Sequence, residues 1–194
     1  RIPYVEFVRN LTRRMNAVGV MVSVALVPKV SADQPGLLYE GIDYRLLGEA
    51  ANTVLLMTYE WGYTYGPPMA VAPIPQVRQV LNYAVSEITP AKISMGIPNY
   101  GYDWPLPFVR GVTEAANIGN HEAIEIAALN NAAIQYDDIS QAPFFEYTRD
   151  GVGHIVWFED VRSILAKLNL VTEYGFRGVD YWQLMRPFRQ NWLL

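Results

Sequence analysis

Residues 53–63 read TVLLMTYEWGY, an apolar run that ends in large aromatic and acidic side chains. The apolar half is typical of a buried β-strand, and the aromatic half marks the place where that strand ends. Aromatic side chains beside a carboxylate suit a sugar ligand. The C–H bonds of the sugar stack on the aromatic rings, while the polar groups of the side chains reach the hydroxyl and amide groups of the sugar. The stretch therefore predicts a buried strand that carries a carbohydrate-binding site at its end.

Two later segments repeat this composition, NYGYDW at 99–104 and YWQ at 181–183. The chain has 13 Tyr and 5 Trp, and nine of these residues lie in the three places: Tyr59, Trp61, Tyr63, Tyr65, Tyr100, Tyr102, Trp104, Tyr181 and Trp182. Such clustering favours a shared binding surface over scattered packing roles.

Continuous apolar strands alternate with amphipathic helices along most of the chain. The predicted strands cover 20–27, 53–59, 92–97 and 178–184, and the predicted helices cover 4–18, 44–51, 75–88 and 159–174. This alternation predicts an α/β fold in which helices cover a parallel sheet. Four strands with their helices suit half of a (β/α)8 TIM barrel, because a complete barrel takes roughly 250 residues.

A small open doubly wound sheet is the alternative architecture. It requires a glycine-rich phosphate loop after the first strand, where this sequence has VPKVS at 27–31. The interval before the last strand is too long for one βα unit, and we expect residues 103–158 to form an inserted α+β subdomain. The half barrel would then consist of 1–102 and 159–194.

The insertion has local signals of its own. Asn120 is predicted to cap a helix, and Asp150-Gly151 is a hairpin signal between two short strands, predicted at 143–148 and 154–158. A further short strand is predicted at 133–136. His154 alternates with apolar residues on its strand, which predicts an exposed side chain.

Composition excludes several classes of function. The 194 residues carry a net charge of −4 without any run of Lys or Arg, so that nucleic acid and anionic membranes are poor partners. The absence of Cys and the presence of two His exclude disulfides, a Cys nucleophile and a multi-His metal site, and we expect no metal or cofactor. No apolar run approaches the roughly 20 residues of a membrane helix. The chain opens on a helical pattern without a Met, and we expect it to be part of a longer protein.

Three motifs resemble those of glycoside hydrolase family 18. LMTYE at 56–60 is similar to the family's sixth-strand motif, GIPNYG at 96–101 to its seventh-strand motif, and GVDYW at 178–182 to its eighth-strand end. The similarity is closer to the bacterial spore branch, whose cortex-lytic enzymes act on peptidoglycan fragments. The segments that carry it are 32–40, 58–62, 100–104 and 187–194. The resemblance implies that the strands are numbers 5 to 8 of the barrel, with the insertion after strand 7.

The resemblance also implies roles for individual residues. Tyr59 would hydrogen-bond the acetamido oxygen of the substrate, and Glu60, where the family usually has Asp, would contact the acetamido group or a nearby hydroxyl. The implied substrate-binding residues are Tyr100, Tyr102, Asp103, Trp104, Tyr181 and Trp182, with Trp182 as the floor of the cleavage subsite. The family's fourth-strand motif, Asp-x-x-Asp-x-Asp-x-Glu, is absent from these residues, and its general acid would lie upstream of Arg1.

The implied activity is substrate-assisted, retaining hydrolysis of β-1,4 bonds next to N-acetylglucosamine in spore cortex peptidoglycan. The implied location is the spore coat or cortex, or an extracellular site at the cell wall, with an N-terminal wall-binding module in the full protein. One alternative is a chitinase or chitooligosaccharide hydrolase, for which a long open groove paved with aromatic residues would be expected. Another is a non-catalytic, lectin-like glycan-binding protein that keeps the aromatic residues but lacks the general acid.

Overall fold

The computed structural model describes residues 1–194. The α-helices are α1 (Ile2–Asn16), α2 (Tyr44–Ala50), α3 (Ile74–Glu87), α4 (Asn120–Leu129) and α5 (Val161–Tyr174). The β-strands are β1 (Ser23–Leu26), β2 (Thr53–Leu56), β3 (Ile93–Pro98), β4 (Tyr100–Pro105), β5 (Ala116–Gly119), β6 (Gln135–Asp137), β7 (Ala142–Arg149), β8 (Val152–Trp157) and β9 (Gly178–Trp182). None of the helices is both long enough and apolar enough to cross a membrane.

The predicted alternation of strands and helices is confirmed. Strands β1, β2, β3 and β9 form an open sheet in that order, and β1 runs parallel to β2, as β2 does to β3. Most residues of β2 and β3 are buried on both faces, as expected for a parallel sheet covered by helices. The chain therefore has an α/β fold.

One compact unit, here called the parallel unit, comprises Arg1–Thr58, Val77–Gly96 and Leu170–Asp180. Its core is apolar and includes Leu26, Val54, Leu56, Ile93 and Met95, all without exposed surface. Burial of these side chains is the main source of stability in such a unit, at about 25 cal/mol for each Å² removed from water.

Strand β1 is shorter than predicted, and a buried tyrosine accounts for where it ends. The Tyr44 hydroxyl donates to the Val27 carbonyl at 2.6 Å and accepts the Lys29 N–H at 3.0 Å, so that neither group joins a neighbouring strand. The Lys29 ammonium is 1% exposed and donates to the carbonyls of Ala32, Tyr39 and Ile42 at 2.9–3.2 Å. Burial lowers the pKa of Lys29, and the three carbonyls hold the loop between β1 and α2 around it.

The second compact unit, here called the antiparallel unit, comprises Tyr59–Gln76, Ile97–Asn169 and Tyr181–Leu194. It contains a five-stranded sheet in the order β5-β4-β8-β7-β6, with antiparallel pairing throughout. One face of this sheet packs on α4 through a cluster of Ile118, Ala123, Ala127, Phe145, Tyr147, Val156 and Phe158. The sheet begins at Tyr100, before the predicted start of the insertion, and the division at 103 and 158 stays a prediction.

The predicted hairpin at Asp150-Gly151 is confirmed. Both residues have positive φ, 53° and 79°, as a tight turn between twisted antiparallel strands requires. Two of the strands, β4 and β5, were not predicted. Strand β4 begins only one residue after the end of β3, and its residues were interpreted as the end of that strand.

Two expectations were wrong. The N-cap of α4 is Gly119, whose N–H is accepted by the Glu122 carboxylate at 3.1 Å, and Asn120 is the first helical residue. The Asn120 side chain is buried and accepts the Glu159 N–H at 3.0 Å. His154 was expected to be exposed but is only 6% exposed, because it lies on the face of the sheet that also carries Tyr147 of β7 and Asp103 of β4.

Candidate carbohydrate site

Glu60, a residue of the predicted site, lies just beyond the end of β2. Its backbone has a φ of 70°, a left-handed conformation that costs energy for a residue with a side chain. Backbone hydrogen bonds hold the next two residues in place, from Trp61 N–H to the Val71 carbonyl and from Gly62 N–H to the Ala70 carbonyl, both at 3.0 Å. The loop therefore keeps Glu60 in this conformation.

Two tyrosine hydroxyls of β4 donate to the Glu60 carboxylate. Tyr100 donates to Oε1 at 2.5 Å, and Tyr102 lies 3.0 Å from Oε1 and 3.3 Å from Oε2. Burial and the neighbouring Glu60 raise the pKa of Tyr102 to about 12, and the same causes raise the pKa of Tyr100. Both phenols therefore stay protonated at neutral pH and act as donors, and Glu60 is the acceptor of both.

The side chains at alternate positions of β4 form an aromatic row. Ring centroids of Tyr100 and Tyr102 are 5.8 Å apart, and those of Tyr102 and Trp104 are 5.6 Å apart. The row packs with Val71 and Ala115, and Tyr59 packs against the same cluster. The structure thus brings together Tyr59, Glu60, Tyr100 and Tyr102, which the sequence separates by about 40 residues.

A glycine lets β4 approach its neighbour this closely. A Cβ at Gly101 would lie 2.3 Å from the Trp157 carbonyl oxygen and 2.6 Å from the Phe158 Cβ, so that any other residue would push β4 away from β8. Gly101 belongs to the sequence motif at 96–101, but its packing role is visible only in the structure.

Asp103 points to the other face of β4 and is 3% exposed. It accepts a hydrogen bond from the Tyr147 hydroxyl at 2.6 Å, and its other oxygen lies 2.8 Å from His154 Nδ1. Burial and the hydrogen bond to Asp103 raise the pKa of Tyr147. Arg149 comes within 3.9 Å of the same carboxylate. Asp103 is therefore fully engaged by protein groups.

Trp104 is also buried, with no exposed surface. Its indole Nε1–H donates to the Gly66 carbonyl at 2.9 Å, which ties the end of the aromatic row to the loop that follows Glu60. The predicted contacts of Asp103 and Trp104 with a glycan stay predictions, and neither side chain presents a surface to solvent.

Trp182, at the end of β9, is 54% exposed, which suits an indole that offers its face to a ligand. Its backbone is held by Asn99, whose N–H donates to the Trp182 carbonyl at 3.0 Å and whose side-chain oxygen accepts the Gln183 N–H at 2.6 Å. The neighbouring Tyr181 ring packs edge-on against Trp192 at 5.5 Å. Asn99 belongs to the motif at 96–101, and the sequence analysis gave it no role. Its position directly after β3, at the strand end where site residues were expected, could have indicated one.

This arrangement of groups on an α/β scaffold is chemically suited to carbohydrate recognition. A carboxylate with fixed acceptor geometry stands beside aromatic rings in edge-on and tilted contact, and the exposed indole of Trp182 lies in the same compact unit. No three His, Asp or Glu side chains among residues 1–194 converge in a geometry that could hold a metal ion.

Comparison with known proteins agrees with this class. The profile of the glycosyl hydrolases family 18 matches residues 1–186, and the chain belongs to that family. The cortical fragment-lytic enzyme of Bacillus subtilis (strain 168) is 51% identical over 195 residues, which cover 100% of this chain and 45% of that protein.

Solved structures show the same similarity. The crystal structure of the Bacillus cereus spore cortex-lytic enzyme SleL has a TM-score of 0.95 and 45% identity, over 100% of this chain and 45% of that one. The chitinase from Chromobacterium violaceum ATCC 12472 has a TM-score of 0.91 and 30% identity, over 100% of this chain and 60% of that one. The chain thus spans less than half the length of the cortex-lytic relatives it matches.

Proposed function

We propose that this chain is the C-terminal half of the catalytic barrel, strands 5 to 8, of a glycosidase that cleaves spore cortex peptidoglycan next to N-acetylglucosamine. Family membership and the names of the relatives support the class of enzyme and the substrate. The sheet of β1, β2, β3 and β9, in which β1, β2 and β3 run parallel, supports the half barrel, as does the 45% share of the relatives' length. In this proposal the general acid comes from a segment upstream of Arg1.

The reaction proposed is substrate-assisted and retaining, one of the exceptions to the two-carboxylate scheme. The substrate's own acetamido oxygen attacks the anomeric carbon, and the bond to the leaving oxygen breaks as the general acid protonates that oxygen. Water then attacks the anomeric carbon of the cyclic intermediate, loses a proton and restores the acetamido group. The enzyme supplies no nucleophile and must align the acetamido group instead.

The single observation that carries the proposal is the fixed Glu60 carboxylate beside Tyr59. Tyr100 and Tyr102 hold Glu60 mainly through Oε1, so that Oε2 has acceptor capacity for an N–H or O–H of the sugar. Tyr59 would donate to the acetamido oxygen and fix its line of attack. Pre-aligned groups of this kind lower the barrier without reorganising at the moment of reaction.

The remaining predicted residues divide into two groups in this proposal. Trp182 forms the floor of the cleavage subsite because its indole is exposed, and Tyr181 supports it from the same strand. Asp103 and Trp104 have a positioning role in this proposal. Asp103 links β4 to Tyr147 of β7 and His154 of β8, and Trp104 donates a hydrogen bond to the loop at Gly66.

A chitooligosaccharide hydrolase is the second candidate, and the 30% identity to the Chromobacterium violaceum chitinase favours it as an alternative. A non-catalytic glycan-binding role is not favoured, because the most similar relatives carry the names of lytic enzymes. The proposed location is the spore cortex, and a wall-binding module in the rest of the protein is part of the same proposal.

The test uses the full-length protein that contains this chain. Purified cortex fragments and chitin oligosaccharides are incubated separately, and reducing ends and the first anomer formed are followed by NMR. We expect cleavage of cortex fragments with the β-anomer released first, and a loss of about two orders of magnitude in kcat for Glu60→Gln. Glu49→Gln, a change at an exposed acid of α2, is the matched control. Cleavage of chitin alone would favour the second candidate, and cleavage of neither would refute both.

A further inference from the structure

A groove on the antiparallel unit is not used by the proposed reaction. It lies between the loop that follows Glu60 and the loop that follows β4, and its lining residues are Tyr63, Tyr65, Gly66, Pro67, Phe108 and Arg110. We call it the aromatic groove. Tyr65 is 59% exposed and Tyr63 is 40% exposed, so that two aromatic side chains of one loop present surface to solvent.

The first wall of the aromatic groove is held rigidly. Gly62 lies so close to the chain opposite that a Cβ there would be 2.1 Å from the Met69 carbonyl oxygen. The Gly66 carbonyl accepts the Trp104 indole N–H, and a Cβ on Gly66 would lie 2.5 Å from the Tyr63 ring. The exposed aromatic side chains therefore stand on a fixed loop, and ordering them costs a ligand little.

The second wall is a closed turn that carries Arg110. Val109 N–H donates to Thr113 Oγ1 at 2.8 Å, and Thr113 N–H donates back to the Val109 carbonyl at 2.9 Å. The two walls are joined where Ala115 N–H donates to the Thr64 carbonyl at 2.8 Å. The width of the groove is thus set by backbone hydrogen bonds.

Arg110 is the charged residue of this lining, and no ion pair in the structure includes it. The loop 61–73 contains no charged residue, and the chain as a whole carries a net charge of −4. A lone cation among aromatic rings on an acidic protein complements an anion more than a neutral ligand. Arginine pairs with carboxylates in a bidentate geometry, and the tyrosine faces suit a sugar ring.

We propose that the aromatic groove is a subsite for an acidic amino sugar of the glycan, with the sugar ring on Tyr65 and its carboxylate on Arg110. The inference rests on the proposed function and deepens it, because the groove would favour peptidoglycan fragments over neutral chitin oligosaccharides. The carboxylate has two sources in peptidoglycan, the lactyl group of a muramic residue and the end of a peptide attached to that group. Both present the same chemistry to Arg110.

The experiment measures binding to the full-length protein by calorimetry at low ionic strength. Three thio-linked, hydrolysis-resistant tetrasaccharides are compared: one of N-acetylglucosamine alone, one with free lactyl carboxylates, and one with short peptides on those groups. We expect at least one acidic ligand to bind about fivefold more tightly than the neutral one, the scale of a partly exposed charge-assisted pair. The acidic ligand that is preferred identifies the source of the carboxylate.

Variants connect the preference to the groove. Arg110→Gln should abolish the preference for the acidic ligand and leave the neutral affinity unchanged, while Tyr65→Ala should weaken all three ligands severalfold through lost stacking. Arg14→Gln, at an exposed arginine of α1 without an ion pair, is the matched control and should keep the preference. A wild-type protein without preference, or an Arg110→Gln variant that keeps it, would overturn the inference.

Hydrolysis of natural cortex fragments by the wild-type protein tests the proposed function independently of the groove. Hydrolysis without any acidic preference defeats the groove alone. Absence of both hydrolysis and binding defeats the proposed function and the groove together.

Discussion

The parallel unit and the antiparallel unit place their polar groups differently. In the parallel unit the sheet core is apolar, and ion pairs such as Arg45–Glu87 and Arg78–Glu173 have exposed partners. In the antiparallel unit, two carboxylates are buried, Asp103 between Tyr147 and His154 and Glu159 beside Lys167. Glu60 is exposed and is held by the hydroxyls of Tyr100 and Tyr102. Lys29 is the exception in the parallel unit, and it binds carbonyls of its own loop.

This difference teaches where single changes will matter. Removing the partner of a buried ionic group strongly lowers the free energy of unfolding, whereas a residue of an exposed pair replaces its partner by water at little cost. Burial makes Asp103 and Glu159 costly to leave without a partner and also fixes their geometry. The geometry of Glu60 is fixed instead by the hydrogen bonds from Tyr100 and Tyr102. We therefore expect the antiparallel unit to carry most of the changes with large effects.

The largest effect is expected for the buried pair of Glu159 and Lys167. Lys167 Nζ lies 2.7 Å from Glu159 Oε2, and neither side chain is exposed. Lys167→Met should lower the free energy of unfolding by about 3–5 kcal/mol, because it leaves a carboxylate buried without a partner. Arg45→Met, which breaks the exposed pair with Glu87 in the parallel unit, should cost less than about 1 kcal/mol. Urea unfolding of both variants checks the contrast, and equal losses would contradict it.

The pH dependence sharpens this prediction. Burial raises the pKa of Glu159 even beside Lys167, and removing Lys167 raises it further. A raised folded-state pKa contributes stability that is full below the unfolded value of about 4.3 and is lost as pH rises through the folded value. The cost of Lys167→Met should therefore shrink as the pH is lowered towards that value, and a pH-independent cost would argue against a stranded carboxylate.

Tyr59 and Tyr44 compare the two units by the same substitution. In the full-length protein, Tyr59→Phe should lower kcat by about two orders of magnitude, the size of one lost hydrogen bond to the reacting group. Tyr44→Phe, in the parallel unit, should leave kcat unchanged and cost about 1–3 kcal/mol of stability, because the Lys29 N–H loses its buried acceptor. Steady-state kinetics and thermal unfolding of both variants separate the roles, and an unchanged kcat for Tyr59→Phe would assign Tyr59 to packing.

Two tryptophans of the antiparallel unit provide a smaller contrast. Trp182→Ala should weaken oligosaccharide binding about tenfold at a modest cost in stability, because the side chain is 54% exposed. Trp104→Ala removes a side chain without exposed surface and should cost about 3–5 kcal/mol. Measuring glycan affinity and the melting temperature of both variants distinguishes a binding role from a packing role. A strongly lowered melting temperature with unchanged affinity for Trp182→Ala would refute the subsite role.

The smallest effect is spectroscopic. Because burial and Glu60 raise the pKa of Tyr102 to about 12, its phenol should ionise later than an exposed tyrosine in an ultraviolet titration. This raised folded-state pKa costs stability as pH rises from the unfolded value of about 10 towards 12. Tyr102→Phe should therefore remove one late-ionising phenol from the titration. Loss of an early-ionising phenol in this variant would contradict the contact with Glu60.

Much of the fold and part of the site could be predicted from local patterns. Apolar runs at β2 and β3 and the helical spacing of α3 and α5 are dictated by residues close in sequence, so that the strand–helix order was correct. The site prediction brought Tyr59 and Glu60 together with Tyr100 and Tyr102 through motifs, and their contacts are now visible.

The sequence by itself determined the α/β class, the strand that precedes Tyr59 and Glu60, and the aromatic character of the site, because each depends on neighbouring residues. Only the tertiary structure decided that both faces of β4 are covered, so that Asp103 and His154 became a buried pair 51 residues apart. Period-2 alternation separates two faces of a strand but does not say which face other elements will bury. The aromatic groove likewise depends on two loops joined at Thr64 and Ala115, a contact that no local pattern encodes.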